Sequence, residues 1–369
     1  MLAVVNKGRQ SPRGRGATVN PSGRFEPRRV EDVEDDLATD DVEVGPGPAT
    51  TVFLDNARTV LTRNDSPDVP FDVSLNPYRG CEHGCSYCFA RASHPFLNMS
   101  AGLDFETKIF AKPRAAVLLK TEISKPGYRC RPIAFGTNTD PYQPIEQKMR
   151  IMRGVLELLV THDHPFSIVT KSALILRDLD LIAPAAARGQ ASAFLSVTTL
   201  DAGLASRMEP RAAAPHRRLA ALKALAAAGV PCGVLASPMI PGLNDHELER
   251  ILAAAAEAGA TSAGMILIRL PHEVKDVFLA WLETHEPSRA GKIVSLIEQA
   301  RGGKLNESAW GTRMTGQGPY AAMLRRRFEV SCARLGLNKE RPVLDSSQFR
   351  PPVADGAQRP LFRKVETSS

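Results

Sequence analysis

Short apolar runs alternate along most of this chain with longer stretches that repeat apolar residues every three or four positions. The runs are Phe71–Leu75, Pro132–Phe135, Phe166–Thr170, Ala193–Thr198, Val230–Leu235 and Gly264–Ile268, and their length and content suit strands. Helical spacing covers Lys112–Glu122, with Pro113 tolerated in its first turn, then Gln147–Leu159, Leu174–Ala186 and Arg217–Ala228, the last ending at Gly229. A further helix opens at Asn244 with Glu247 three residues on, a capping-box arrangement, and amphipathic helices follow over Val274–Thr284 and Lys292–Ala300. This alternation predicts six βα units with parallel strands, each returned by a crossover helix. Strands in such a sheet are buried on both faces, which is why they read as apolar runs. Periodicity leaves two α/β architectures open: a partial (β/α)6 TIM-like barrel and a doubly wound sheet.

The flanks differ in character. Residues 1–50 are rich in Gly, Pro, Arg and acids, so a mostly disordered charged arm is expected, with Gly45-Pro46-Gly47-Pro48 as a linker to a core over 51–301. Residues 302–369 form a basic C-terminal extension in which 311–320 reads as an ordered loop and Tyr320–Leu335 as a basic helix. An open barrel edge would need covering, and from that need, not from any motif, this extension is expected to cover it. With 369 residues the chain can bury the core of one large α/β domain.

Charge changes the picture only locally. Lys and Arg number 47 against 40 Asp and Glu, but the excess is concentrated in the first thirty residues and the tail, around an acidic block from Glu31 to Glu43. Such asymmetry can mark a nucleic-acid footprint. Solvated helix faces and self-neutralising arms account for it better, because few aromatics accompany the charges. Three of the six cysteines cluster and three stand apart, which suits reduced thiols in the cytoplasm better than a disulfide framework. No apolar run approaches membrane-spanning length, so no membrane partner is expected.

The clustered cysteines are Cys81, Cys85 and Cys88, a CxxxCxxC spacing on a loop containing Gly80 and Gly84. Three soft thiolates on one short loop suit an iron–sulfur cluster. A structural zinc site would want a fourth donor, for which His83 is the local candidate, and zinc motifs usually come as two separated pairs. A ferredoxin-type cluster needs a fourth cysteine, yet Cys130, Cys232 and Cys332 lie in distant segments.

This motif, with Asn76-Pro77-Tyr78-Arg79 before it and Phe89-Ala90-Arg91 after it, resembles the radical S-adenosylmethionine (SAM) superfamily, in the branch related to spore photoproduct lyase. The resemblance implies the partial barrel, a 4Fe-4S cluster on Cys81, Cys85 and Cys88, and SAM on the iron left open. It also implies reductive cleavage of SAM to a 5′-deoxyadenosyl radical for hydrogen abstraction, and a reductant such as flavodoxin or ferredoxin. Thr139-Asp140-Pro141 after the second strand, with Asn138 before it, matches a turn that contacts SAM. Thr170-Lys171 after the third matches a pair whose lysine meets the SAM carboxylate. Ser196 and Thr198 match hydroxyls near the ribose or amino group, and Tyr87 matches an aromatic near adenine. Arg15-Gly16-Ala17, Asn20-Pro21 and Arg24-Phe25 resemble a segment that recurs in relatives, so part of the arm is expected to dock.

One departure counts. The lyase carries a hydrogen-donating cysteine just before the turn, where this chain has Thr137 and Asn138. The substrate is therefore left open between nucleic acid, protein and small metabolite. The alternative from a different class is a nucleic-acid-binding or redox-sensing module whose cluster or zinc is structural.

Overall fold

The computed structural model describes residues 14–25, 48–340 and 343–353. The strands are β1 (Thr51–Leu54), β2 (Leu61–Arg63), β3 (Val73–Leu75), β4 (Tyr78–Arg79), β5 (Lys108–Ala111), β6 (Ile133–Phe135), β7 (Phe166–Thr170), β8 (Ala191–Ser196), β9 (Cys232–Met239) and β10 (Ser262–Leu267). The helices are α1 (Leu103–Thr107), α2 (Ala115–Ile123), α3 (Glu146–Met149), α4 (Ile151–Thr161), α5 (Leu179–Ala187), α6 (Ala202–Met208), α7 (Pro215–Ala227), α8 (Leu248–Glu257), α9 (Val274–His285), α10 (Ala290–Gln299) and α11 (Gly318–Leu335).

The six strands read from the sequence are β3, β6, β7, β8, β9 and β10. They pair in parallel and in chain order, and β2 adds antiparallel to β3. That order decides between the two architectures. A doubly wound sheet reverses its strand order at a switch point, whereas here each parallel strand joins its predecessor. Right-handed crossovers then carry every connection to one face, so the sheet curls with its helices outside. The result is a partial (β/α)6 barrel.

Register sorts the two faces. Val73, Ile133, Phe166 and Ala191 form one row and Leu75, Phe135, Ile168, Ala193 and Cys232 the next. Both rows are buried in the main core with Leu119, Val155, Ile182, Leu222 and Ile251 from the helices. The opposite face carries Ser74, Ala134, Ser167 and Ser192 in one row, then Val169, Phe194 and Gly233. These mostly small residues line the inside of the curl. A Cβ on Gly233 would lie 2.5 Å from the Phe194 ring, so that ring fills the space a side chain would need.

The edges of the sheet, β2 and β10, are bridged by the C-terminal extension. On one side the Leu267 amide donates to the Met314 carbonyl at 2.9 Å. On the other, Asp68 accepts from the Gly311 amide at 2.7 Å and pairs with Arg313, which also reaches Ser66. Fully buried Arg301 donates to the carbonyls of Leu267, Ile268, Thr312 and Arg313, which fixes this latch against β10.

Local departures from the sequence reading have physical causes. The predicted helix over 147–159 is broken at Arg150, which has φ 50°, because the Glu146 carboxylate turns back to accept from the amides of Ile151 and Met152 at 3.0 and 3.1 Å. No capping box forms at Asn244. Its side chain accepts from the Ile240 amide at 2.7 Å and donates to the carbonyls of Thr198 and Pro238, while Glu247 reaches Thr199 and the Leu200 amide. A second sheet, ordered β1-β5-β4, was not foreseen. Within the arm, 14–25 packs on the core, whereas the acidic block and the rest of the expected disorder lie outside the described residues. Among the described residues, no helix is long and apolar enough to cross a membrane.

Candidate functional site

The cysteine loop leaves the carboxyl end of β3 after the short β4. Gly80 and Gly84 take φ of 79° and 67°, where a side chain would be strained. The loop closes on itself through the Cys88 amide to the Cys85 carbonyl at 3.2 Å, and on α1 through the Cys81 amide to the Phe105 carbonyl at 2.9 Å. Cys81 and Cys85 are buried and Cys88 is partly exposed; none is in a disulfide.

Burial pushes the Cys85 thiol up to about 12, with Lys171 opposing the rise, and it pushes Cys81 up as well, helped by Asp140, Cys85 and Cys88. Thiols so placed become thiolates when a cation holds them. Three soft thiol donors on one loop, with no fourth cysteine in the neighbouring sequence, fit a cluster in which each thiolate takes its own iron.

Glu106 of α1 is the hub beneath the loop. Its carboxylate pairs with the equally buried Arg91 and accepts from the amides of Gly16 and Ala17 at 3.0 and 2.8 Å. Arg91 in turn donates to the carbonyls of Cys85 at 2.8 Å, Ala101 at 3.0 Å and Gly102 at 2.8 Å. Residues 14–25 thus strap the cysteine loop. Their approach is so close that a Cβ on Gly16 would sit 1.7 Å from the Gly84 carbonyl oxygen. Glu82 anchors the other side, accepting from Thr50 at 2.7 Å and the Ile145 amide at 2.6 Å, and pairing with Arg211 at 3.1 Å.

The strand ends bring the expected residues to this rim, in differing roles. Asp140 accepts from Thr170 and the Lys171 amide, each at 2.7 Å, and from the Tyr142 amide at 2.9 Å, and it lies 3.4 Å from His83. Burial would raise its carboxyl, but His83 and these donors hold it down at about 2. Thr139 is buried and donates to the Tyr78 carbonyl at 2.9 Å. The Asn138 amide is held by the Asn76 side chain at 3.1 Å. These contacts tie the β6 turn to the cysteine loop and to β7.

A second polar set lies beyond β8. Glu209 accepts from Thr198 at 2.7 Å and from the Tyr87 hydroxyl, and it pairs with buried Arg218, which donates to the Ser196 carbonyl at 3.0 Å. Burial would raise the Glu209 carboxyl, yet Arg218, Lys171 and these hydroxyls keep it at about 2. The Lys171 ammonium lies 5.8 Å from the Tyr87 ring centre. Burial would lower its affinity for a proton, but Cys85 and Glu209 raise it, so it stays charged. Among the described residues the ammonium makes no hydrogen bond or ion pair, unlike the polar groups of Tyr87, Asp140 and Thr198. Glu106 went unread because a single polar residue off any motif carries no periodic signal, and Asn76 was read only as part of the stretch that precedes the cysteines.

The family model of the radical SAM superfamily matches residues 75–255. An uncharacterized protein of Mycobacterium tuberculosis is 34% identical over 296 residues, covering 79% of this chain and 81% of that protein. An uncharacterized protein of Methanocaldococcus jannaschii is 29% identical over 173 residues, covering 47% of this chain and 62% of that one. Among solved structures, spore photoproduct lyase complexed with dinucleoside spore photoproduct shares the fold with a TM-score of 0.55. It is 16% identical, and the match covers 78% of this chain and 80% of that chain.

Proposed function

The chain belongs to the radical SAM superfamily, and from that membership we propose that it cleaves SAM reductively at a 4Fe-4S cluster to start a hydrogen abstraction. Cys81, Cys85 and Cys88 would hold the cluster, which supplies the electron that breaks the sulfonium bond and an open iron for SAM. The observation that carries this reading is the meeting on one rim of three thiols free of disulfides with the Lys171 ammonium, which among the described residues makes no hydrogen bond or ion pair and faces only the Tyr87 ring.

The residues divide the remaining work by chemistry. Lys171 would offer a cation to a carboxylate, and Asn138, Ser196 and Thr198, at or after the ends of β6 and β8, would offer polar groups to the rest of the ligand. Asp140 and Glu209, both charged at neutral pH, keep the β6 turn and the Tyr87 side of the rim in place. Their fixed dipoles need no rearrangement when a ligand arrives. An external reductant such as flavodoxin or ferredoxin would deliver the electron.

Electron paramagnetic resonance of the anaerobically reconstituted, reduced chain tests this. A cubane signal that changes on adding SAM, with 5′-deoxyadenosine in the quenched mixture, is the expected result. A colourless zinc protein, or a cluster indifferent to SAM, would sink it.

A further inference from the structure

Arg269 lies two residues beyond the last residue of β10, at the carboxyl end where ligands of parallel barrels bind. Among the described residues it makes no ion pair. Its Nε is buried without a hydrogen-bond partner, and its Nη1 reaches only the Met314 thioether at 3.5 Å. The guanidinium carbon lies 5.8 Å from the ring centre of Phe89, which adjoins Cys88 and is 46% exposed.

The surrounding charges do not balance it. Arg313 and Arg301 are its cationic neighbours. Asp68, the nearby carboxylate, is committed to Arg313 and the Gly311 amide. Glu307 accepts from the amides of Ser308 and Ala309. A guanidinium held among like charges with a buried Nε that no protein group satisfies is costly to the fold. An incoming anion removes that cost, and the planar fork of arginine matches an oxyanion in two hydrogen bonds.

We propose that Arg269 is the receptor for an oxyanion carried by the substrate, a phosphate or a carboxylate, with the exposed Phe89 ring offering an apolar face to the group attached to it. That the anion belongs to the substrate rests on the function proposed above. That Arg269 binds an oxyanion does not.

The test is thermal stabilisation of the full chain by sodium phosphate and by sodium acetate at constant ionic strength. Wild type is compared with Arg269→Gln, Arg269→Lys and, as control, Arg250→Gln, an exposed arginine on α8. A saturable rise in Tm is expected for wild type and Arg250→Gln. Arg269→Gln should need roughly tenfold more anion or lose the response, and Arg269→Lys should fall between, because it keeps the charge without the fork. The stronger of the two anions identifies the substrate group. Equal responses of wild type and Arg269→Gln, or no saturable response in wild type, overturn the proposal. A weakened SAM-induced resonance change in reconstituted Arg269→Gln also overturns it, since Arg269 would then belong to the SAM site. A wild type indifferent to SAM would instead sink the proposed function and leave the anion result standing.

Discussion

Replacing Glu106 by alanine strikes the hub of the cysteine loop. The carboxylate and the Arg91 guanidinium are both fully buried, so the substitution leaves a cation in the interior and takes the acceptor from two strap amides. Breaking one side of a buried pair costs about 3–5 kcal/mol. Arg91 keeps three carbonyl acceptors, which favours the lower end, about 3 kcal/mol. An unfolding entropy of ~2.1 cal/mol/K per residue gives this 369-residue chain ~0.8 kcal/mol/K, so Tm should fall by about 4 °C. Scanning calorimetry of the reduced, cluster-free chain measures this, and Glu106→Gln, which keeps an acceptor without the charge, should lie between. Limited trypsin digestion gives the local readout. Cleavage after Arg15 should quicken severalfold in Glu106→Ala, because the strap has lost its anchor. A Tm within about 1 °C of wild type together with unchanged cleavage would refute the hub.

Lys171→Ala should reconstitute the cluster normally while the SAM-induced resonance change needs roughly tenfold more SAM; a wild-type titration would remove Lys171 from the site. Burial lowers His164 to about 4 from the usual 6.5, so on acidification the unfolded chain takes the proton first. The stability it supports is intact above about 6.5 and is lost as pH falls toward 4, up to about 3 kcal/mol at ~1.4 kcal/mol per pKa unit. His164→Phe should therefore show a shallower decline of Tm over that window, and parallel profiles would count against it. Asp68→Asn should speed amide exchange across 309–316 while leaving the β6–β9 strands protected. Unchanged exchange there would mean that the latch does not depend on the Asp68–Arg313 pair.

The barrel was legible because its strands announce themselves twice, as apolar runs and as members of a regular alternation. Ile133–Phe135 and Phe166–Thr170 emerged within a residue of their predicted bounds. The sequence could not choose between barrel and doubly wound sheet, since strand order is a property of pairing and not of pattern. The exposed β1, whose four residues all face solvent, carries no alternation to read. At the site, the cysteines and Lys171 were legible as candidates because motif and strand end coincide. Glu209 belongs to none of those motifs, and its bonds to Tyr87, Thr198 and Arg218 exist only once β8 and α7 are brought together. Asn244 looked like a cap by spacing, yet three backbone groups distant from the helix start claim its side chain.

The latch across the barrel edge joins Asp68 to Arg313, positions 245 apart in the sequence. Loop-closure entropy and contact order make such a pairing late and slow relative to the neighbour-to-neighbour addition of β3 through β10. The seam between β2 and β10 should therefore be the last part of the barrel to seal on folding, and the first to reopen when the Asp68–Arg313 pair is lost.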